Sequence, residues 1–141
     1  MGKALVIAKY IIDKCFQDGS PITNLRLQKI LYFVQLESYR KCDVPAFDEE
    51  IEAWQFGPVV PVVYYEYCNY VGMPILERYD IIEDINSNTR NVIDYVLKKY
   101  AGYSVWDLVN ITHAEGSPWN KTYVAYEKRI ISKELIKEAT N

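Results

Sequence analysis

Clusters of Gly, Pro, Ser and Asp interrupt this sequence at short intervals and limit how long any regular element can be. Between them, apolar residues recur three and four positions apart, as on the buried side of a helix. Such segments lie at 4–16, 23–40, 61–71, 87–101, 104–113 and 133–138. We therefore expect a mainly α protein, a compact bundle of about five or six helices.

The second of these segments has the clearest helical pattern. Thr23 can cap its first turn, and its apolar stripe consists of Leu27, Ile30, Leu31 and Val34. The opposite side carries Arg26, Lys29 and Glu37. This arrangement predicts a helix with one buried side and one polar side.

A period of two replaces the helical spacing further along the chain. From Ile51 to Phe56, side chains alternate in character until Gly57-Pro58 interrupts them. We expect a small β element around residues 47–56. Residues 75–85 mix β-branched with acidic side chains, which fits either a second extended segment or a loop.

Size and composition are those of one small domain. Half of the 141 residues are apolar, and no repeat, low-complexity tract or long linker divides them. Three cysteines without C-x-x-C spacing argue against a disulfide framework or a thiolate metal site. Charged residues interrupt the apolar start, so we expect no export signal there. We expect a single cytoplasmic domain over 1–141, with no cofactor and no bound metal.

Charge argues against a nucleic-acid partner. The formal net charge is −3, and Lys and Arg are scattered rather than gathered in one run. We therefore expect neither nucleic acid nor membrane as a partner. A small DNA-binding regulatory domain of a phage or mobile element remains an alternative, because short helices joined by tight turns can imitate a helix-turn-helix.

Enzyme signatures are missing from the sequence. It has no nucleophile elbow, phosphate-binding loop, dinucleotide-binding turn or zinc-protease helix, and His113 is its single histidine. Near a helix end, His113 can simply meet the terminal carbonyls. A hydrolase that uses His113 with Glu115 or Ser117 is a lesser alternative. We predict that the protein is not an enzyme.

Acidic residues cluster at 48–52, where Asp48, Glu49, Glu50 and Glu52 lie close together. The cluster lacks the glycine and the ligand spacing of a calcium loop. It is therefore more typical of a solvated edge, which could also steer a basic partner.

Aromatic residues are unusually frequent, with thirteen tyrosines and three tryptophans. Six large rings fall within 54–70, more than one strand or helix face hides easily. Some of them should be exposed, and exposed Trp and Tyr are frequent energetic anchors of protein interfaces.

Two motifs resemble a known family. The first is Leu-Gln-Lys-Ile-Leu-Tyr-Phe at 27–33, and the second runs from Phe47 to Pro61 and contains Glu-Ala-Trp-Gln-Phe-Gly-Pro-Val-Val-Pro. Thr112-His113 and Ser117-Pro118-Trp119 extend the likeness. Together they resemble the Panacea domain, the SocA-like antitoxin family, also met as a phage-associated protein. The resemblance is strongest over 23–123.

This resemblance implies the antitoxin of a toxin-antitoxin pair. Such a protein would neutralise a cognate toxin, encoded next to it, by direct protein–protein binding, and it could deliver the toxin to a protease. The resemblance implies no catalytic residues. We predict that the partner-binding residues include Trp54, Phe56, Tyr64, Tyr65, His113 and Trp119.

Overall fold

The computed structural model describes residues 2–80 and 82–140. This part of the chain contains seven α-helices and three short strands. In chain order they are α1 (Lys3–Gln17), α2 (Asn24–Cys42), β1 (Ile51–Trp54), β2 (Gly57–Val59), α3 (Pro61–Glu66), α4 (Ser87–Lys99), α5 (Val105–Thr112), α6 (Pro118–Thr122), β3 (Arg129–Ile131) and α7 (Lys133–Glu138). The predicted mainly α fold with a small β element is confirmed.

Helix α2 lies at the centre and packs against α1, α4, α5 and α7. Its first turn is capped as predicted, since the Thr23 hydroxyl accepts a hydrogen bond from the Arg26 N–H at 3.3 Å. The predicted apolar stripe is fully buried, and Tyr32 and Phe33 beside it are buried too. The helix is therefore surrounded by protein along most of its length.

The predicted polar side of α2 does not face solvent at two of its three residues. Lys29 and Glu37 are both buried. The β1–β2 hairpin covers Lys29, whereas Glu37 pairs with Arg40 and lies 3.8 Å from the Lys99 ammonium of α4. A helix covered on several sides must bury polar residues as well, and periodicity in one sequence does not reveal this.

Polar side chains of α2 hold the segment that follows it. The Gln35 Oε1 accepts a hydrogen bond from the Ala46 N–H at 2.8 Å, and its Nε2 donates to the Phe47 carbonyl at 2.9 Å. One buried amide thus fixes the path of the chain between α2 and β1. Residues 47–50 consequently form a loop, and the strand begins at Ile51.

The three strands form an antiparallel sheet in the order β2–β1–β3. Trp54 pairs with Gly57, so Gln55 and Phe56 form a two-residue turn between β1 and β2. Strand β3 comes from far along the chain and pairs Ile51 with Ile131. The predicted β element is therefore a hairpin to which a third, unpredicted strand is added.

Residues 75–80 and 82–85 form a loop. Of the two alternatives given for this segment, the loop is therefore correct and the second extended segment is wrong. The Ile75 N–H donates to the Ile22 carbonyl at 2.8 Å, and the side chains of Ile75 and Ile85 are buried. Individual apolar and polar contacts, rather than a hydrogen-bonded ladder, hold this segment. Within the described residues, no helix has both the length and the apolar character that crossing a bilayer requires.

Candidate partner-binding surface

Gly57 begins β2 directly after the turn of the β1–β2 hairpin and has a φ of +115°. A Cβ atom at this position would lie 2.8 Å from the Lys29 Cε and 2.9 Å from the Thr112 Oγ1. Both the backbone conformation and the close approach therefore require glycine. The hairpin lies directly on α2 and α5 because no side chain separates them here.

Two neighbouring side chains of α2 bind the backbone of this hairpin. The Lys29 Nζ donates to the Pro58 carbonyl at 3.2 Å, and the Gln28 Oε1 accepts a hydrogen bond from the Val60 N–H at 2.9 Å. Burial lowers the pKa of Lys29 to about 7, because an ammonium is poorly solvated there. The Gln-Lys pair of the first motif therefore positions the second motif.

Aromatic rings cover the outer side of the hairpin and of α3. The Trp54 ring lies 4.9 Å from the Tyr64 ring and 6.1 Å from the Tyr65 ring, measured between centroids. The Lys128 ammonium lies 4.3 Å above the Trp54 ring and 3.4 Å from the Tyr65 hydroxyl. Tyr65 is 56% exposed. Three rings and one cation thus share one solvent-facing site.

A second ring pair lies at the hairpin turn. Phe56 packs edge-on against Trp106 of α5 at 5.6 Å, and Trp106 is 53% exposed. Edge-to-face packing stabilises the pair beyond its apolar contact area. We use the term aromatic surface for these rings and the neighbouring lysine: Trp54, Phe56, Tyr64, Tyr65, Trp106 and Lys128.

A stack of three rings supports this surface from beneath. His113 lies parallel to Trp119 at 3.7 Å, and Trp119 lies against Tyr123 at 4.5 Å. The Trp119 Nε1 donates to the Trp54 carbonyl at 2.7 Å. Trp119 is only 8% exposed, so it holds the end of β1 and offers little surface to a partner.

Comparison with known proteins gives the same assignment as the motifs. Residues 27–120 match the family described as Antitoxin SocA-like, Panacea domain. This chain belongs to that family. Antitoxin SocA of Caulobacter vibrioides is 33% identical over 132 residues, which cover 83% of this chain and 68% of the relative. These findings support an antitoxin role, which implies a toxin partner. No solved structure matches this chain.

His113 lies within the part of this Panacea domain that matches the family. It is also the residue on which the alternative interpretation as a hydrolase depends. Burial and then the charge of Lys29 lower its pKa, and its Nε2 is buried with no hydrogen-bond partner among the described residues. The Ser117 hydroxyl donates to the Thr112 carbonyl at 2.8 Å and also caps α6. Among the hydrogen bonds of residues 2–80 and 82–140, none joins His113 to Glu115 or Ser117.

Three of the four acidic residues at 48–52 have separate structural contacts in this domain. Glu49 accepts a hydrogen bond from the Ala4 N–H at the start of α1, at 3.1 Å. Glu50 lies 3.5 Å from the Lys133 ammonium, and Glu52 accepts a hydrogen bond from the Trp54 Nε1 at 2.8 Å. No group of three His, Cys, Asp or Glu side chains in the described residues could hold a metal ion.

Four of the six predicted partner-binding residues lie on the aromatic surface, namely Trp54, Phe56, Tyr64 and Tyr65. The other two, His113 and Trp119, lie beneath it. Partner contact by any of them stays a prediction.

Sequence reasoning missed Trp106 and Lys128. Trp106 could have been found, because it lies on the other side of the α5 helical wheel from the buried Leu108. Lys128 carries no local signal, since only the pairing of β3 with β1 brings it to Trp54.

Proposed function

We propose that this antitoxin neutralises its toxin by direct, non-catalytic protein–protein contact through the aromatic surface. The observation that carries the proposal is the set of exposed rings around Trp54, which adjoin one another and rest on a buried support. Tryptophan and tyrosine are the residue types that most often anchor interfaces, where they enter desolvated pockets of the partner.

Several contacts hold the surface in place before a partner arrives. The Trp54 indole donates to Glu52, contacts Tyr64 edge-on and lies under the Lys128 ammonium. Its carbonyl is bound by Trp119. Because these contacts order the ring already, little side-chain entropy remains to be lost on binding.

Neutralisation by staying bound to the toxin, here called occupancy, differs from delivery of the toxin to a protease. Both modes require the same first contact. The half-life of the toxin in cells separates them. A stable toxin in the presence of this protein indicates occupancy, whereas a toxin that disappears faster indicates delivery. We propose occupancy, because the feature that the structure provides is a contact surface.

Replacing Tyr65 with alanine is expected to weaken toxin binding by about 2 kcal/mol, or roughly 30-fold, the size typical of an interface anchor. Replacing Trp54 should have at least the same effect, because Lys128 and Tyr64 also lose their contact with its ring. The toxin would be the product of an adjacent small reading frame whose growth arrest this protein relieves. Titration calorimetry with the purified pair then measures the loss.

Tyr95→Ala is the matched control. Tyr95 is an exposed ring on α4 that lies beneath Lys41 and Lys99, outside the aromatic surface. It should bind and rescue growth like the wild type. Unchanged binding by folded Tyr65→Ala and Trp54→Ala proteins would show that the toxin binds elsewhere.

A further inference from the structure

The sheet has two outer edges, and they differ in what covers them. At the β2 edge, Lys29 donates to the Pro58 carbonyl and Gln28 accepts from the adjoining Val60 N–H. The other edge belongs to β3, which in the described residues pairs with β1 alone and has α6 packed against it. An edge strand with unpaired backbone groups is a template on which another strand can form.

Register identifies which backbone groups of β3 point outward. In an antiparallel pair, successive residues alternate between bonding to one side and to the other. Ala53 pairs with Pro58, whose carbonyl faces α2 and whose nitrogen carries no hydrogen, so Ala53 bonds toward β3 instead. Its partner there is Arg129. The next residue, Ile130, therefore directs both its N–H and its C=O away from the sheet.

No hydrogen bond within the described residues satisfies the outward N–H or C=O of Ile130. The same alternation turns the backbone of Lys128 outward, and its N–H and C=O likewise have no partner in the described part of the chain. Two residues thus offer four backbone groups to an added strand.

Side chains around this edge continue the aromatic surface. Ile130 pairs with Glu52, so it lies on the same face of the sheet as Glu52 and Trp54, and it is 55% exposed. Tyr126, just before β3, is fully exposed. The Lys128 ammonium has no carboxylate within 4.0 Å among the described residues, although Arg129 beside it pairs with Glu127. The edge is thus apolar at Ile130 and has, two residues away, a cation that contacts the Trp54 ring and the Tyr65 hydroxyl but has no carboxylate partner in the described residues.

We propose that the toxin binds by adding an extended strand to the free edge of β3. The unpaired backbone groups specify a strand as the occupant, because side chains or a helix would leave them without regular partners. Such a strand places an apolar side chain beside Ile130 and a carboxylate beside Lys128. A lysine at an edge also discourages unwanted pairing, so it favours a strand of complementary charge. This inference rests on the proposed function and specifies what the toxin presents.

The Ile130→Pro substitution tests the backbone hydrogen bond from residue 130 to the added strand. Of the backbone hydrogen-bonding groups of β3, Ile130→Pro removes only the outward N–H of residue 130, and proline is tolerated at an edge position of this kind. Ile130→Ala is the matched variant, because it shortens the side chain and keeps the N–H. We expect Ile130→Pro to bind the growth-arresting toxin at least 10-fold more weakly than Ile130→Ala. Thermal unfolding of both variants verifies that they are folded.

Amide hydrogen exchange of the wild type tests the same contact without a substitution. The Ile130 and Lys128 amides should exchange rapidly in the free protein and at least 10-fold more slowly in the toxin complex. Equal exchange in both states, or equal affinities of the two variants, would overturn strand addition. Slow exchange that depends on the concentration of the free protein would show instead that a second copy of this chain pairs with β3.

The pattern of losses separates this inference from the proposed function. If Tyr65→Ala weakens binding and Ile130→Pro binds like Ile130→Ala, the aromatic surface is the toxin site and strand addition is wrong. If Ile130→Pro weakens binding and the Tyr65 and Trp54 variants do not, the toxin uses the edge without the rings. If no adjacent reading frame arrests growth in a way that this protein relieves, both the proposed function and strand addition are wrong.

Discussion

Trp119→Ala is expected to lower the free energy of unfolding by about 3–5 kcal/mol, the usual cost of removing a large buried aromatic ring. The ring fills the space between His113 and Tyr123, and its indole nitrogen binds the Trp54 carbonyl. Alanine leaves a cavity between the two neighbouring rings and one backbone carbonyl without that donor. For a chain of this length, the melting temperature should fall by about 10 °C or more.

Trp106→Ala is the control for this prediction, because Trp106 is a tryptophan in the adjoining helix but exposed. Its replacement should change the melting temperature by only a few degrees and act mainly on toxin binding. Calorimetric or circular-dichroism melting of the two variants gives the comparison. If Trp119→Ala melts like the wild type and binds toxin poorly, Trp119 contacts the partner directly, as the sequence alone suggested.

Stability is expected to rise by about 2 kcal/mol between pH 7 and pH 9 because of Lys29. Its pKa is about 7 in the folded protein, against 10.5 for an ordinary lysine. Below pH 7 both states carry the proton, and folding bears the full cost of burying the charge. Between pH 7 and 10.5 the unfolded chain retains a proton that the folded protein releases, so the free energy of unfolding increases with pH.

Other groups limit the useful pH range. Burial lowers the pKa of His113, so its contribution also rises with pH but is complete near the ordinary value of 6.5. Burial raises the pKa of Tyr32 and of the Cys15 thiol, so both groups favour unfolding once the pH passes their ordinary values of 10.0 and 9.0. The interval from pH 7 to pH 9 therefore isolates Lys29.

Lys29→Met tests this assignment, since methionine fills much the same space without a titrating group. The variant should lose the rise in stability between pH 7 and pH 9 in chemical denaturation. An NMR titration of the Lys29 side chain in the wild type should give a midpoint near 7. Parallel pH profiles of wild type and variant, with a side-chain midpoint above 9, would show that Lys29 retains its charge in the folded protein.

Most helices could be predicted from the sequence because their signals are local. The Ser104–Asp107 spacing is that of a capping box, which begins α5 in the structure, and the Ser132 side chain caps α7. Helix α6 was missed although Ser117-Pro118 is a helix start, because the same residues also end the preceding turn. Strand β3 was missed because three residues carry too little pattern and depend on pairing with a distant strand.

Candidate site residues were predictable to the extent that exposure follows residue type. The rings near the hairpin were found by their density, but type alone does not separate Tyr65, which is exposed, from Trp119, which is buried. Lys29 was assigned to the polar side of α2, because one sequence does not show that the hairpin covers it. The structure supplies these distinctions through contacts between distant segments.

Gln28, Lys29 and Gln35 of α2 form hydrogen bonds with main-chain atoms of the hairpin and its preceding loop. These hydrogen bonds therefore do not depend on which side chains those segments carry. The outward positions at 54, 65 and 130 can therefore be exchanged with little disturbance to how the chain folds. Under the proposed function, stability and toxin recognition are encoded in different atoms of the same hairpin and its neighbours. Such a division lets one scaffold acquire new specificities by surface substitution alone.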